Sequence, residues 1–355
     1  MKNKMYFLLL LSLLFLIGCT DSTTGPGDPP ANVKRGILIV NEGLYAQNNS
    51  SITFFSLDEN KVYSDVYKSA NNGNNLGDTA NDMFKFDNRG YIAVDLSNKI
   101  EVLNLNTFKS EGFIDLGQNS GPREIIIVNQ NEGYVTSTGK DAVIKFNPST
   151  MTQLIEIQVG SKPDGIEIYQ DRIFVANTGY GSDSTVSVIR NDQKVADIVL
   201  STNPRFIHKD SEFIYVVCSG GYFDAVGMGA VYKINPLTYD VVSKIDIPGN
   251  PGESCLTGDG YMLIVNNQGI HKLDLNTFMI IPNFLISNSS VNPSTGIVYS
   301  VAYDIDQQRI YAGNPKDFMQ NGEIVVYEND GTELSRFVTG INPGTISIID
   351  QYFTN

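Results

Sequence analysis

The sequence predicts an all-β fold: a seven-bladed β-propeller, four strands per blade, closed by the C-terminal strand pairing in the N-terminal blade. Three observations carry this prediction. A short apolar run, in most copies ending on a polar side chain, recurs seven times. The copies are GILIVN at 36–41, GYIAVD at 90–95, GYVTST at 133–138, RIFVAN at 172–177, FIYVVC at 213–218, YMLIVN at 261–266 and RIYAGN at 309–314. They lie about forty to fifty residues apart, the spacing of propeller blades. Each is followed by an alternating strand that closes near Asn or Asp, as in KIEVLNLN at 99–106 and TVSVIRND at 185–192. No helical periodicity of useful length interrupts the series. A β-helix repeat is much shorter than these units, and a pair of sandwiches does not explain four strand types recurring in fixed order.

Taken in chain order, residues 1–18 read as a lipoprotein signal peptide. Lys2 and Lys4 precede an apolar stretch from Tyr6 to Ile17, and Leu16-Ile17-Gly18-Cys19 looks like a bacterial lipobox. A basic start, a short apolar core and a small residue before the cut are what such a signal requires, and the core is short for a membrane span. Cys19 is then the lipidated first residue of the mature chain, and its acyl chains are the membrane anchor. Residues 19–35 read as a flexible tether, because Thr24-Gly25-Pro26-Gly27-Asp28-Pro29-Pro30 is too rich in Pro and Gly to pack. Residues 36–355 are the propeller. Within them a further strand type begins after Pro122, Pro163, Pro204, Pro251 and Pro343. The chain enters at Gly36 on the second strand type and ends, at 343–350, on the first. The last strand is therefore expected to complete the blade that the first strands begin, with 345–350 pairing along 37–40 and leaving no open ring edge.

Composition narrows the function. The 355 residues carry a formal charge of −14, and removal of Lys2 and Lys4 brings the mature chain to about −16. Such a chain repels phosphate backbones, so nucleic acid is not an expected partner. Besides Cys19 there are only Cys218 and Cys255, too few for a disulfide framework; an oxidising compartment would allow them to pair, and two buried free thiols are the expectation.

Several segments resemble a known family. Pro-x-x-Ile-x-Ile, then Asp-Arg-Ile-Phe-Val-Ala-Asn, then Ser-Thr-Val-Ser-Val-Ile across 163–189 is similar to the YncE-like seven-bladed propellers. Val40-Asn41-Glu42-Gly43, with Asn48 to Ile52 and Asn75-Leu76-Gly77-Asp78, resembles the narrower BtuG-type group. Those are surface lipoproteins that capture cobalamin beside TonB-dependent outer-membrane transporters. The resemblance implies an outer-membrane or cell-surface location and, as partners, a transporter and a small-molecule ligand, cobalamin or another corrinoid. Thr20 after Cys19 resembles outer-membrane sorting patterns. No ligand-contacting residue can be carried over from the family.

A site is expected where loops are unequal. Loops after the second strand and connections between blades share one face of a propeller. The former are short at 96–98, 139–141 and 267–268, and long at 42–50, 178–184, 219–229 and 315–322. The long ones carry Tyr45, Tyr180, Tyr222, Phe223 and Phe318, and the connections add Arg123, Lys162, Asp164, Arg205 and Glu253. Aromatic surfaces with a few charged groups suit a flat, largely apolar ligand with polar edges. The candidate ligand-binding residues are thus Tyr45, Arg123, Tyr180, Arg205, Tyr222, Phe223 and Phe318. Catalytic signals are sparse. His208 and His271 lack Cys, Asp or Glu at metal-ligand spacing, and no nucleophile elbow, Cys-x-x-Cys or phosphate loop is present. No cofactor and no metal are expected. Asp164 and Glu253 with Arg123 and Arg205 leave a lactonase-like hydrolase as one alternative, and an envelope interaction platform as another.

Overall fold

The computed structural model describes residues 35–221 and 228–350. Cys19, the signal, the tether up to Lys34, Tyr222 and Phe223 lie outside the described residues. Seven four-stranded antiparallel sheets form, each in simple meander order. Blade 1 is the exception in connectivity. Its outer three strands are Arg35–Asn41, Ser51–Ser56 and Lys61–Tyr63, and its inner strand is the C-terminal Pro343–Asp350. Val40 pairs with Thr345 and Ile37 with Ile348, so the chain ends meet in one sheet as the repeat order requires. Blades 2 to 7 begin at the inner strands Ala80–Phe86, Pro122–Asn129, Pro163–Tyr169, Pro204–Lys209, Ser254–Leu256 and Ser300–Asp304.

The burial pattern explains why the second strands are the clearest sequence signal. Residues 36–41 and 173–177 are buried at every position, because a strand in the middle of a blade is covered on both sides by neighbouring blades. Ile37 and Ile39 pack with Tyr311 and Ile324 of blade 7, while Leu38 and Val40 pack with Ile92 and Val94 of blade 2. Seven apolar clusters each join one such pair of blades. Each fully buried Ile, Leu or Val in them contributes about 1.5–3 kcal/mol. Outer strands such as Gln193–Val199 have one covered face at most, so their apolar signal is weaker.

The polar residue closing the second strand acts as a clamp. Asn177 Nδ2 donates to Thr185 Oγ1 and Ser187 Oγ at 2.9 and 3.0 Å. Asn314 Nδ2 donates to Val291 O and Glu323 Oε1 at 3.0 and 2.8 Å. Each amide ties the end of the second strand to its surroundings where the chain turns onto the loop-bearing face.

Three details go beyond the sequence expectation. Blade 6 starts its inner strand at Ser254, three positions after Pro251, because Gly252 and the Glu253 carbonyl bond Val265 outside regular strand geometry. Blades 2 and 7 open without a proline. Two connections between blades also hold short helices, Val66–Ala70 and Asn288–Val291, too brief for a helical period to register. Cys218 and Cys255 are both free thiols.

Candidate functional site

The inner strands surround a channel whose mouth opens on the face that carries the long loops. In five blades the second residue of the inner strand lies at this mouth. Asn81, Arg123, Asp164, Arg205 and Gly344 occupy that position in blades 2, 3, 4, 5 and 1, and all line one cavity of about 270 Å³. Glu253 of blade 6 and Tyr299 of blade 7 complete the ring, with Glu42 reaching in from the first long loop. At Gly344 a Cβ would come within 2.8 Å of Glu42 Oε1, so the absence of a side chain there makes room for that carboxylate.

Charge organises the mouth. Arg123 Nε and Arg205 Nε donate to the two oxygens of Asp164, each at 3.1 Å, and Arg123 Nη1 donates to Asn81 Oδ1 at 2.8 Å. Four consecutive blades, 2 to 5, are thereby laced together. Burial alone would raise the Asp164 carboxyl, but the two guanidiniums more than offset it and hold it below the usual range. Burial opposes the charge on Arg123 as well, and Asp164 and Glu42 reverse that. Across the mouth Tyr299 donates to Glu42 Oε2 at 2.7 Å. Burial pushes Glu42 up, and the tyrosine hydrogen bond pulls it only part of the way back.

Below the mouth lies an acidic tier. Glu124 and Glu253 line the mouth cavity and also two others, of about 330 and 250 Å³, so the three meet at these side chains. Asp82 faces the two lower cavities. Asp82 Oδ2 accepts from the Ile125 N–H at 2.9 Å, and Glu124 Oε2 accepts from the Ile166 N–H at 3.1 Å. Burial raises all three carboxyls: Asp82 to about 6, Glu253 to about 8, and Glu124 well above its ordinary value. His208 Nε2 is 2.8 Å from Ser254 Oγ, and burial draws this histidine down to about 4, so it is neutral at physiological pH. Among the described residues no three His, Cys, Asp or Glu side chains converge to hold one metal ion.

The residues singled out in the sequence fall into two groups. Arg123 and Arg205 line the mouth, where they also bridge blades through Asp164. Tyr45 and Tyr180 stand on the loops around it, 76% and 63% exposed, and are not part of the cavity wall. Tyr180 sits at φ 49° between Gly179 and Gly181, both also at positive φ, which makes it the tip of a left-handed turn. Phe318 packs edge-on against Tyr299 at 5.6 Å between centroids, and so supports the wall. Lys162 bonds the Thr138 carbonyl at 2.9 Å along the rim. Sequence reasoning missed Glu42, Asn81, Asp82, Glu124 and Tyr299. The signal was available for Asn81 and Gly344, since aligning the repeats on their inner-strand starts places them beside Arg123 and Asp164.

Solved structures share this architecture at low identity. A quinoprotein alcohol dehydrogenase-like protein from Bacteroides thetaiotaomicron is 18% identical, with a TM-score of 0.66 over 89% of this chain and 78% of that one. A functionally unknown protein from Desulfotomaculum acetoxidans is 14% identical, with a TM-score of 0.64 over 89% and 99%. Hydrazine synthase from Kuenenia stuttgartiensis is 15% identical, with a TM-score of 0.61 over 74% and 92%. At such identities the likeness speaks for the fold alone. No curated protein matches the sequence. One family does, across residues 35–257, which run from the first blade into the inner strand of the sixth. On that match the chain belongs to the family described as a domain of unknown function, DUF5074.

Proposed function

We propose that the protein is a lipid-anchored binding protein of the cell envelope that captures a small-molecule ligand over the channel mouth. The observation that carries this reading is the pair of exposed tyrosines, Tyr45 and Tyr180, raised on long loops around a charged opening. The left-handed turn at Gly179–Gly181 fixes the backbone of Tyr180 at the loop tip. An aromatic tip on a rigid ring also loses little freedom when it binds. The first described residue, Arg35, begins its strand on the opposite face, where it pairs with Asp304. A tether from Cys19 would therefore leave the mouth directed away from the membrane, toward an arriving ligand or a transporter.

The resemblance to cobalamin-capturing lipoproteins makes a corrinoid the first ligand to test. A cavity of about 270 Å³ is too small to enclose one, so the disc would lie across the rim and touch the tyrosines. Calorimetric titration of the mature protein with cyanocobalamin is the test. Saturable heat that weakens in Tyr45→Ala and Tyr180→Ala supports the reading. Aromatic anchors at the centre of an interface carry about 2 kcal/mol each, so each variant should weaken binding by roughly thirtyfold. No heat at micromolar concentrations would remove corrinoids. Binding unchanged in the double variant would remove this face.

A further inference from the structure

The two rim tyrosines are held by different means. The Tyr180 loop closes on itself: Gly181 and Asp183 donate backbone N–H groups to the Thr178 carbonyl at 2.8 and 3.4 Å, and Ser182 donates to the Gly179 carbonyl at 3.1 Å. The Tyr45 loop has less of this. Gln47 N–H donates to the Leu44 carbonyl at 3.1 Å, closing a turn with Tyr45 and Ala46 at its centre. Ala46 stands there at φ 60°, a conformation that glycine adopts more readily.

What holds this turn comes from the next blade. Asp78, buried in the connection to blade 2, turns its carboxylate to the loop. Its Oδ1 accepts the Ala46 N–H at 3.1 Å, and its Oδ2 accepts the Asn48 N–H at 2.7 Å. Such amide–carboxylate bonds are stronger than amide–carbonyl ones. Asp78 is itself fixed on blade 2. Its N–H donates to Ser97 Oγ at 3.0 Å, and its carbonyl accepts from the Leu96 N–H at 3.2 Å. Gly77 before it lies so close to the blade that a Cβ would come within 2.6 Å of Val94 Cγ1. The ends of the loop are tied separately: Gly43 N–H donates to the Ile341 carbonyl at 3.1 Å, and Ser50 N–H to the Gly77 carbonyl at 3.0 Å. The stretches 40–43, 48–52 and 75–78, noted in the sequence, thus meet around one turn.

We infer that Asp78 is the positioning residue for Tyr45: it holds the turn in the pose that presents the ring to a ligand, and so reduces the ordering that binding must impose. This rests on the capture reading above and deepens it, since a residue fixed on blade 2 governs an anchor carried by blade 1.

The assignment has a coupling signature. Asp78 acts on the ligand through Tyr45, so the losses of the two side chains should not add. Asp78→Asn keeps the size of the side chain and leaves one acceptor for two loop amides. It should weaken binding about tenfold through lost preorganisation. In a Tyr45→Ala background the same substitution should cost little more, whereas in a Tyr180→Ala background it should cost its full effect. A residue that only supports the fold would add to both.

The test joins two measurements on the mature protein: hydrogen exchange over 42–50 without ligand, read by mass spectrometry, and calorimetric titration of the single and double variants with cyanocobalamin. In Asp78→Asn the exchange of 46–48 should quicken by about tenfold, while the blade strands keep their wild-type protection. That retained protection shows that the variant folds. Unchanged exchange over 42–50 overturns the inference, whether or not a corrinoid binds. Additive losses in the Asp78→Asn, Tyr45→Ala double variant overturn it as well. If exchange quickens and the wild-type protein takes up no cyanocobalamin, the corrinoid falls as the ligand and the hold of Asp78 on Tyr45 stands.

Discussion

Thr79 stands immediately before the inner strand of blade 2 with φ at 60°. A β-branched residue in the left-handed region is an outlier. Equivalent positions in other blades are left-handed too and hold residues without β-branching: Gly121 at φ 53°, Lys162 at 48°, Asn203 at 62° and Asn342 at 57°. The two asparagines also donate their amides to carbonyls at the end of their own blade's second strand, Asn203 to Gly220 and Asn342 to Gly43. Thr79→Asn should therefore stabilise the fold by about 1 kcal/mol, by relieving strain and adding that bond. Urea denaturation checks it, and a lower midpoint would show that the Thr79 hydroxyl bond to Asp78 matters more. Glu253 supplies a second residue-level expectation. Its folded value of about 8 lies above the ordinary 4.5, so between those limits the folded state keeps a proton that the unfolded chain releases. Stability should decline as pH rises from about 4.5 to about 8 and level off above. In Glu253→Gln the slope should flatten, as seen by comparing urea midpoints at pH 5.5 and 8.5. A wild-type slope of the opposite sign would mean that the carboxylate is already compensated.

At the level of strands, the sequence was most legible where burial is two-sided. Runs such as RIFVAN are buried by neighbouring blades on both faces and so appear as unbroken apolar words. Inner strands were legible only where a proline opens them, and Ala80–Phe86 and Ser300–Asp304 have none. Outer strands alternate weakly because one face meets water. The mouth was partly legible: Arg123, Asp164, Arg205 and Glu253 follow from their place near a proline. Glu42 and Tyr299 were not, since they reach the channel from a loop and a non-repeating connection. The strand Pro343–Asp350 was read correctly as the closing element. Its removal should leave Arg35–Asn41 unpaired along one side and uncover Ile37 and Ile39. A chain ending at Asn342 should lose several degrees or more in melting midpoint, or aggregate. A midpoint unchanged by calorimetry would mean that closure contributes little.

For the whole molecule, the seven interfaces are alike in kind but unlike in what stands above them. Loops of blades 2, 3 and 6 are short, while blades 1, 4 and 7 raise longer ones around the mouth. A ring built for stability alone has no use for that inequality. Cys19→Ala should release the protein from the membrane fraction or leave it unprocessed, as cell fractionation would show. Retention after a high-salt wash would remove lipid as the means of attachment.

The pairing of Arg35 with Asp350 has a mechanical consequence. Any tether attached ahead of Arg35 pulls on the strand that sits between the closing strand and the rest of blade 1. A load between that tether and something gripped on the far face runs along the strand's own axis. Its ladders on both sides then resist in shear, all rungs sharing the force, instead of unzipping one rung at a time. The joint that closes the ring is thus loaded in shear along its full length.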